Sequence, residues 1–147
     1  MTQPLILLLE DNPDDADLMR IALQECHFGG DLVVLENGQE TLDFVYGEGS
    51  HAGRPYRPGP LLILIDLKLP GLSGLEVLRI LKSDPRSRHF PAVVLSTSEV
   101  RSDVHQAYEF GANAYLRKPV TLGSFIAVVG SLIRFWFSPD LVQKEGG

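Results

Sequence analysis

Five short apolar runs alternate along the chain with longer segments in which apolar and polar residues mix. The runs hold three to five residues each and lie at 5–9, 32–35, 61–65, 92–95 and 114–116. Runs of this length, rich in Leu, Ile and Val, are typical of strands that are buried on both faces. The pattern therefore predicts five parallel strands covered by helices.

The segments between the runs carry a helical period. The first has apolar residues at i, i+3, i+4 and i+7, namely Met19, Ala22, Leu23 and Cys26. Asn12 and Pro13 supply an N-cap and a first-turn proline for this helix. Further helices are predicted at 41–45, at 73–82, from an N-cap at Ser98 through Val100, Val104, Ala107 and Tyr108 to a stop at Gly111, and along an apolar face from Leu122 to Trp136.

This alternation of strands and helices defines a fold class. Because crossovers between parallel strands are right-handed, it predicts an α/β fold of the flavodoxin-like (βα)5 type. Such a fold is a three-layer sandwich with a five-stranded parallel sheet in the order 2-1-3-4-5. Ligands bind beyond the carboxyl ends of the strands where the order reverses, here the ends of strands one and three.

Length and composition fit one domain. The chain has 147 residues, of which 44% are hydrophobic and 22% charged, as in globular proteins. We expect a single domain over 1–147, with a core at about 4–137 and a polar tail at 138–147. The Gly- and Pro-rich stretch 46–60 is expected to be a long loop inside it. The single cysteine, Cys26, excludes an intramolecular disulfide and favours a cytoplasmic location.

The charge balance excludes one class of partner. Nineteen acidic and thirteen basic residues give a formal net charge of −6, the wrong sign for a protein that grips phosphate backbones, so no nucleic-acid partner is expected. The N-terminus has no Lys or Arg before its apolar run and does not resemble a signal peptide. The longest apolar stretch, 125–137, is too short for a membrane span, so no membrane association is expected.

Polar residues follow four of the five predicted strands. Glu10 and Asp11 follow the first, Asp66 the third, Ser96 the fourth and Lys118 the fifth. Carboxylates that meet at one sheet edge repel each other and attract a cation, and oxygen ligands favour Mg²⁺. With an ammonium and a hydroxyl beside them, they describe a site for one phosphoryl group with a carboxylate as nucleophile. Each residue alone would be interpreted as a turn, a cap or a surface charge; the joint pattern indicates a site.

The residues also carry a family resemblance. The segments ILLLEDNPDD, LILIDLKLPGLSGLE, VVLSTS and YLRKPV resemble the CheY-like receiver domain of bacterial two-component response regulators over about residues 4–137. The 30 residues from Asp66 to Ser96 and the 22 from Ser96 to Lys118 match the family's spacing. The resemblance implies that Asp66 is the phosphoacceptor and that Lys118 pairs with the phosphoryl group. It implies that Mg²⁺ is held by Glu10, Asp11, Asp66 and the backbone carbonyl of Lys68.

The resemblance implies switching roles as well. Ser96, with Thr97 beside it, matches the hydroxyl switch position, and Tyr115 matches the aromatic residue that turns inward on activation. Pro119 matches a cis proline, although the residues alone leave this isomer open, since only about 5% of X–Pro bonds are cis. The sequence departs from the common pattern at Lys68, where asparagine is common, at Ser73, where aspartate is common, and at Thr97, where a smaller residue is usual.

Partners follow from the same resemblance. A receiver implies a sensor histidine kinase, and signalling through the face formed by helix 4, strand 5 and helix 5. The long Gly/Pro loop, the run at 96–98 and the FWF sequence resemble the small regulators paired with bacterial phytochrome kinases. Val128, Phe135 and Phe137 add apolar surface to helix 5, which predicts a homodimer through helices 4 and 5. The alternative is that Phe135 and Phe137 fold back under the tail.

Other functions remain open from the sequence. The domain could be a phosphorelay intermediate for a non-phytochrome kinase, or a phosphohydrolase that forms an aspartyl phosphate. Such hydrolases place a second acid two residues after the nucleophile, where this chain has Lys68. A flavin or nucleotide module would need a glycine-rich loop after strand one, which EDNPDD lacks. We expect a stand-alone phosphoacceptor that signals by contact and is not a turnover enzyme.

Overall fold

The computed structural model describes residues 3–53, 60–67, 69, 71–97 and 100–137. Its strands are β1 (Leu5–Leu9), β2 (Asp31–Leu35), β3 (Leu61–Ile65), β4 (Ala92–Ser96) and β5 (Ala114–Arg117). Its α-helices are α1 (Pro13–Glu25), α2 (Gly38–Tyr46), α3 (Gly74–Ser83), α4 (Arg101–Glu109) and α5 (Leu122–Trp136). All the predicted strands and helices are therefore present.

The strands form one parallel sheet in the order β2-β1-β3-β4-β5. This confirms the predicted flavodoxin-like α/β fold. β1 pairs with β3 so that Leu9 lies opposite Ile65. Because the two strands end together, the residues that follow them leave the sheet side by side.

The hydrophobic core lies in two layers, one on each face of the sheet. Successive side chains of a strand point to opposite faces. In β1, Leu7 and Leu9 pack with α2, α3 and α4, whereas Ile6 and Leu8 pack with α1 and α5. Both faces are covered, which explains why the strands are apolar at nearly every position.

Helix ends follow their capping residues. The Asn12 side chain accepts hydrogen bonds from the N–H groups of Asp14 and Asp15 at 2.9 and 3.4 Å, as predicted for the start of α1. α2 begins at Gly38, three residues earlier than predicted, because Asn37 caps it through the Glu40 N–H at 2.8 Å.

The start of α4 also differs from the prediction. The helix begins at Arg101, so Val100 is its N-cap residue and not part of its inward stripe, and Val100 provides no side-chain cap. The predicted N-cap, Ser98, lies outside the described residues. The helix ends as predicted, because Gly111 follows its last turn with a φ of +102° that favours glycine.

The described residues of the predicted loop at 46–60 include the last residue of α2 and a short helix. A short 3₁₀ helix occupies Gly49–His51, and the His51 ring packs edge-on against Phe44 with centroids 5.2 Å apart. Residues 54–59 and the predicted tail at 138–147 lie outside the described residues. Within the described part of the chain, none of the helices combines the length and apolar character that crossing a membrane requires.

Candidate functional site

The carboxyl ends of β1 and β3 set the position of two acidic residues. The Glu10 N–H donates to Leu35 O at 2.9 Å, and the Asp66 N–H donates to Leu9 O at 3.1 Å. These bonds continue the sheet by one residue on each strand. They place Glu10 and Asp66 next to each other at the sheet edge, as predicted.

Lys118, which follows β5, closes the site from the other side. Its Nζ lies 2.6 Å from Glu10 Oε1, 3.0 Å from Asp66 Oδ2 and 3.0 Å from Asp15 Oδ2. An ammonium has three N–H donors, and each has a carboxylate oxygen here. The predicted meeting of Glu10, Asp66 and Lys118 is therefore observed in the structure.

A third carboxylate, not predicted from the sequence, joins Glu10 and Asp66. One oxygen each from Glu10, Asp15 and Asp66 lie within 4.8 Å of one another. Asp15 is the third residue of α1, and the Asn12 cap turns that helix so that its side chain reaches Lys118. Asp11 is exposed and lies outside this group. The signal for Asp15 was its place in the first turn of a capped helix, which would otherwise indicate only a charge that favours the helix dipole.

The environment shifts the pKa values of Glu10 and Lys118. Glu10 is only 3% exposed, and its burial raises the pKa of its carboxyl from 4.5 to about 7; Lys118 lowers this pKa and the nearby Asp66 raises it. Burial alone would lower the pKa of Lys118, but the hydrogen bond to Glu10 and the charge of Asp66 outweigh it and raise this pKa. Lys118 is therefore charged, and one ammonium does not neutralise three carboxylates.

Of the predicted switch residues, Ser96 is bonded directly to a residue of this cluster. Ser96 is fully buried at the end of β4, and its carbonyl accepts the Lys118 N–H at 2.8 Å. Thr97 is exposed. Tyr115 is half-buried in the core layer of α4, and its N–H donates to the Tyr108 hydroxyl at 3.1 Å. A backbone hydrogen bond thus links Ser96 directly to Lys118, and the Tyr108 hydroxyl links α4 to β5.

The resemblance also implied roles for Pro119 and Lys68. The peptide bond between Lys118 and Pro119 is trans, because the described residues contain no cis bond; the cis assignment of Pro119 is therefore wrong for this structure. Trans is the ordinary isomer of an X–Pro bond, and from it Lys118 still reaches all three carboxylates. Lys68 lies outside the described residues, so its carbonyl stays a prediction.

Gly74 is a positioning residue that sequence reasoning missed. A Cβ on Gly74 would lie 2.2 Å from the Asp66 carbonyl oxygen and 2.9 Å from the Leu67 Cα. No real side chain tolerates such contacts with backbone. Glycine therefore lets α3 start directly against the segment that holds Asp66, and the signal for it was the glycine in LPGLSG.

The predicted dimer residues separate in the structure. Phe135 is 69% exposed and lines an open groove of about 560 Å³ with Val128, Leu132 and Trp136. Phe137 is half-buried and lies against Phe28, with ring centroids 5.6 Å apart. The structure therefore places Val128 and Phe135 on one surface and folds Phe137 inward.

The donor set of the cluster fits a divalent cation. Three carboxylates and one ammonium carry a formal charge of −2 when all are ionised, and the donors are oxygens only. Glu10 is the buried member whose charged form is disfavoured. A cation at the cluster would favour that charged form.

Comparison with known proteins identifies the family. Residues 6–130 match the response regulator receiver domain, and the chain belongs to this family. It is 35% identical over 132 residues to the response regulator Rcp1 of Synechocystis, covering 90% of this chain and 88% of that protein. It is 36% identical over 132 residues to the probable methanogenesis regulatory protein FilR2 of Methanothrix harundinacea, covering 90% and 83%.

Solved structures agree with this assignment. The phosphorylated cyanobacterial phytochrome response regulator RcpA superposes with a TM-score of 0.84 at 34% identity, covering 94% of this chain and 96% of that one. The Mn²⁺-bound form of Rcp1 gives a TM-score of 0.82 at 33% identity, covering 92% and 96%. These similar proteins are signalling regulators and not classical enzymes, and the fold and sheet order of this chain are theirs.

Proposed function

We propose that this receiver accepts a phosphoryl group from a histidine kinase on the carboxylate of Asp66. The observation that carries the proposal is the ion pair between Asp66 Oδ2 and Lys118 Nζ, 3.0 Å apart, with Glu10 beside it at the end of β1. A carboxylate at the carboxyl ends of parallel strands, with an ammonium across from it, suits the transfer of an anionic group.

In the proposed transfer, an Asp66 oxygen attacks the phosphorus in line. The P–O bond forms as the P–N bond to the kinase histidine breaks, and the imidazole nitrogen leaves with the electron pair and takes up a proton. Lys118 then pairs with the phosphoryl oxygens. The cluster would hold Mg²⁺ through Glu10 and Asp66, with Asp11 and the Lys68 carbonyl as the further ligands implied by the family. When bound, the ion neutralises charge on the phosphoryl oxygens.

The signal then passes to α4, β5 and α5. The new group adds up to about two negative charges beside Lys118 and Ser96. Ser96 donates its hydroxyl to the group, and Tyr115 moves inward into the space that Ser96 vacates. Two hydrogen bonds support this route, because they connect the site to the outer face: the Lys118 N–H donates to the Ser96 carbonyl, and the Tyr115 N–H donates to the Tyr108 hydroxyl.

Acetyl phosphate with Mg²⁺ tests the acceptor. Wild type should incorporate about one acid-labile phosphoryl group per chain, and Asp66→Asn should incorporate none because the amide cannot form the acyl phosphate. Asp31→Asn is the matched control, since Asp31 is exposed at the start of β2, at the opposite end of the strands from Asp66. Undiminished labelling of Asp66→Asn would reject the assignment.

The kinase is proposed to be phytochrome-type and the site of action cytoplasmic. The similarity to Rcp1 and to RcpA supports this choice. The similarity to FilR2, a probable methanogenesis regulatory protein, supports instead a kinase of another class. Phosphotransfer profiling against every histidine kinase of the source organism decides between them, because a cognate kinase transfers fastest.

A steady-state phosphatase assay tests the phosphohydrolase alternative, because only a phosphohydrolase would sustain the release of phosphate.

We also propose a homodimer through the groove beside Phe135. The surface is apolar, and Phe135 stacks edge-on with Trp136 at 4.7 Å, which holds the exposed ring at the groove's edge. A second copy could insert its own Phe135 in the same way, as a two-fold interface requires. In sedimentation at micromolar concentration, with and without beryllofluoride, Phe135→Ala should be monomeric.

The matched control for the dimer is Val120→Ala. Val120 is the most exposed of the large apolar residues, at 95%, and does not line the groove. It should dimerise as wild type does. A wild-type monomer under both conditions would end the proposal.

A further inference from the structure

We propose that Asp15 is a positioning residue that competes with the phosphoryl group for Lys118. The inference rests on the proposed function and adds to it a residue outside the ligand set that the family pattern implies. It also states which form of the protein the residue favours: Asp15 stabilises the resting, unphosphorylated state.

The Lys118 ammonium has no donor left for a new acceptor. Its three N–H groups are matched by one oxygen each from Glu10, Asp66 and Asp15 at 2.6, 3.0 and 3.0 Å. A phosphoryl group on Asp66 adds strong acceptor oxygens beside them. Lys118 can donate to those oxygens only if it gives up one of its present partners.

Burial decides which partner is released. The Glu10 side chain is 3% exposed, so water cannot replace the ammonium there, and its release would leave a buried carboxyl oxygen without a hydrogen-bond donor. The Asp66 carboxylate carries the phosphoryl group itself. The Asp15 side chain is 37% exposed, and water can replace the ammonium there at low cost. The bond to Asp15 is therefore the one exchanged.

The surroundings allow this exchange. A cavity of about 40 Å³ lies beside Lys118 between α1 and α5, next to Met19 and Phe125. The lysine side chain can therefore shift without displacing the core. Asp15 itself stays in place, because the Asn12 cap fixes the first turn of α1. After the exchange its carboxylate is a nearby negative charge that opposes a phosphoryl dianion, which adds to the competition.

Beryllofluoride, a stable phosphoryl mimic, tests the competition without turnover. Each variant is first titrated with Mg²⁺, and mimic affinity is then measured at saturating Mg²⁺. Asp15→Asn should bind beryllofluoride about two- to fivefold more tightly than wild type, the ratio expected when a partly exposed ion pair no longer opposes binding. Asp14→Asn is the matched control, with the same charge change one residue away on the exposed side of the helix, and should bind as wild type does. Asp15→Glu should restore the wild-type value.

The Lys118 ammonium gives a second readout. By NMR, its hydrogens should exchange with water faster in Asp15→Asn than in Asp14→Asn, because a neutral amide oxygen replaces the charged acceptor of one of its three bonds. A merely structural role for Asp15 would not produce that change together with tighter binding.

The outcomes separate this inference from the function on which it rests. Equal mimic affinity in Asp15→Asn and Asp14→Asn would overturn the competition while leaving the receiver function intact. Weaker binding by Asp15→Asn at saturating Mg²⁺ would also overturn it, and would assign Asp15 to the metal site. Failure of wild type to bind beryllofluoride would overturn both.

Discussion

Helices α1 and α4 differ in how firmly they are held in the fold. α1 buries Ala16, Met19, Ala22 and Leu23 and has a side-chain N-cap from Asn12. α4 buries only Ala107 and has no side-chain cap. Core packing and capping both stabilise a helix. The helix that carries Asp15 is thus fixed, and the helix on the proposed output face is loosely held.

This difference fits the division of labour in a switch. A site that binds an ion and a phosphoryl group needs its groups held in place, whereas a face that changes shape needs an element with a small free-energy cost of movement. α4 touches β5 through the hydrogen bond from the Tyr115 N–H to the Tyr108 hydroxyl, and Tyr108 is itself exposed. The asymmetry between α1 and α4 matches the proposed switch, and it can be tested by substitution.

The largest expected effect is on the fixed helix. Met19→Ala removes a side chain that is 1% exposed and should lower the free energy of unfolding by about 2–5 kcal/mol. Val104→Ala is the counterpart on α4, where the valine is only half-buried, and should cost below about 1 kcal/mol. Urea denaturation measures both. Equal losses would mean that α4 is packed as firmly as α1.

The next largest effect is expected at Glu10, the buried carboxyl that follows β1. The folded-state pKa of Glu10, about 7, lies above its ordinary value of 4.5. Between these values the folded protein binds a proton that the unfolded chain does not, so Glu10 lowers stability as pH rises through this window. Glu10→Gln removes this dependence and should raise the free energy of unfolding by up to about 3 kcal/mol at pH 8.

The pH profile distinguishes this cause from general charge reduction. With a chelator present, the gain from Glu10→Gln should shrink to below about 1 kcal/mol at pH 5, where the glutamate is already protonated in the folded state. Asp11→Asn makes the same charge change at an exposed neighbour and should alter stability by less than about 0.5 kcal/mol at either pH. A gain that is independent of pH would contradict the burial of an ionised Glu10.

Sequence reasoning succeeded where position along a strand determines position in space. Glu10, Asp66 and Lys118 follow strands of one parallel sheet, so the sheet order alone brings them together. Asp15 was missed because it lies on a helix, where the rotation about the helix axis decides which side chain faces the site. That rotation is set by the Asn12 cap and by burial of the apolar face, which are tertiary features.

Helical period could have separated two residues that the sequence analysis grouped. Phe137 follows Phe135 by two positions, which is about 200° around a helix. The two rings consequently face opposite sides, one toward Phe28 and one toward solvent. The isomer of the bond before Pro119 is a different case, since an X–Pro bond favours trans by only about 0.5–1 kcal/mol and its surroundings can reverse that preference.

The smallest expected effect, on the loosely held helix, is the most informative about switching. Val100→Ser gives α4 the side-chain cap it lacks, because a Ser hydroxyl at the N-cap can accept the Asp103 N–H, which donates to the Val100 carbonyl in this structure. Val100 is 56% exposed, so little burial is lost. The cap should stabilise the resting arrangement by about 0.5–1 kcal/mol. If α4 moves on activation, beryllofluoride affinity should fall by about two- to fivefold.

Val100→Ala is the matched control, because it removes the same side chain without adding a hydroxyl. If Val100→Ala weakened beryllofluoride binding equally, the cap would not be the cause. The link between α4 mobility and switching would then be lost.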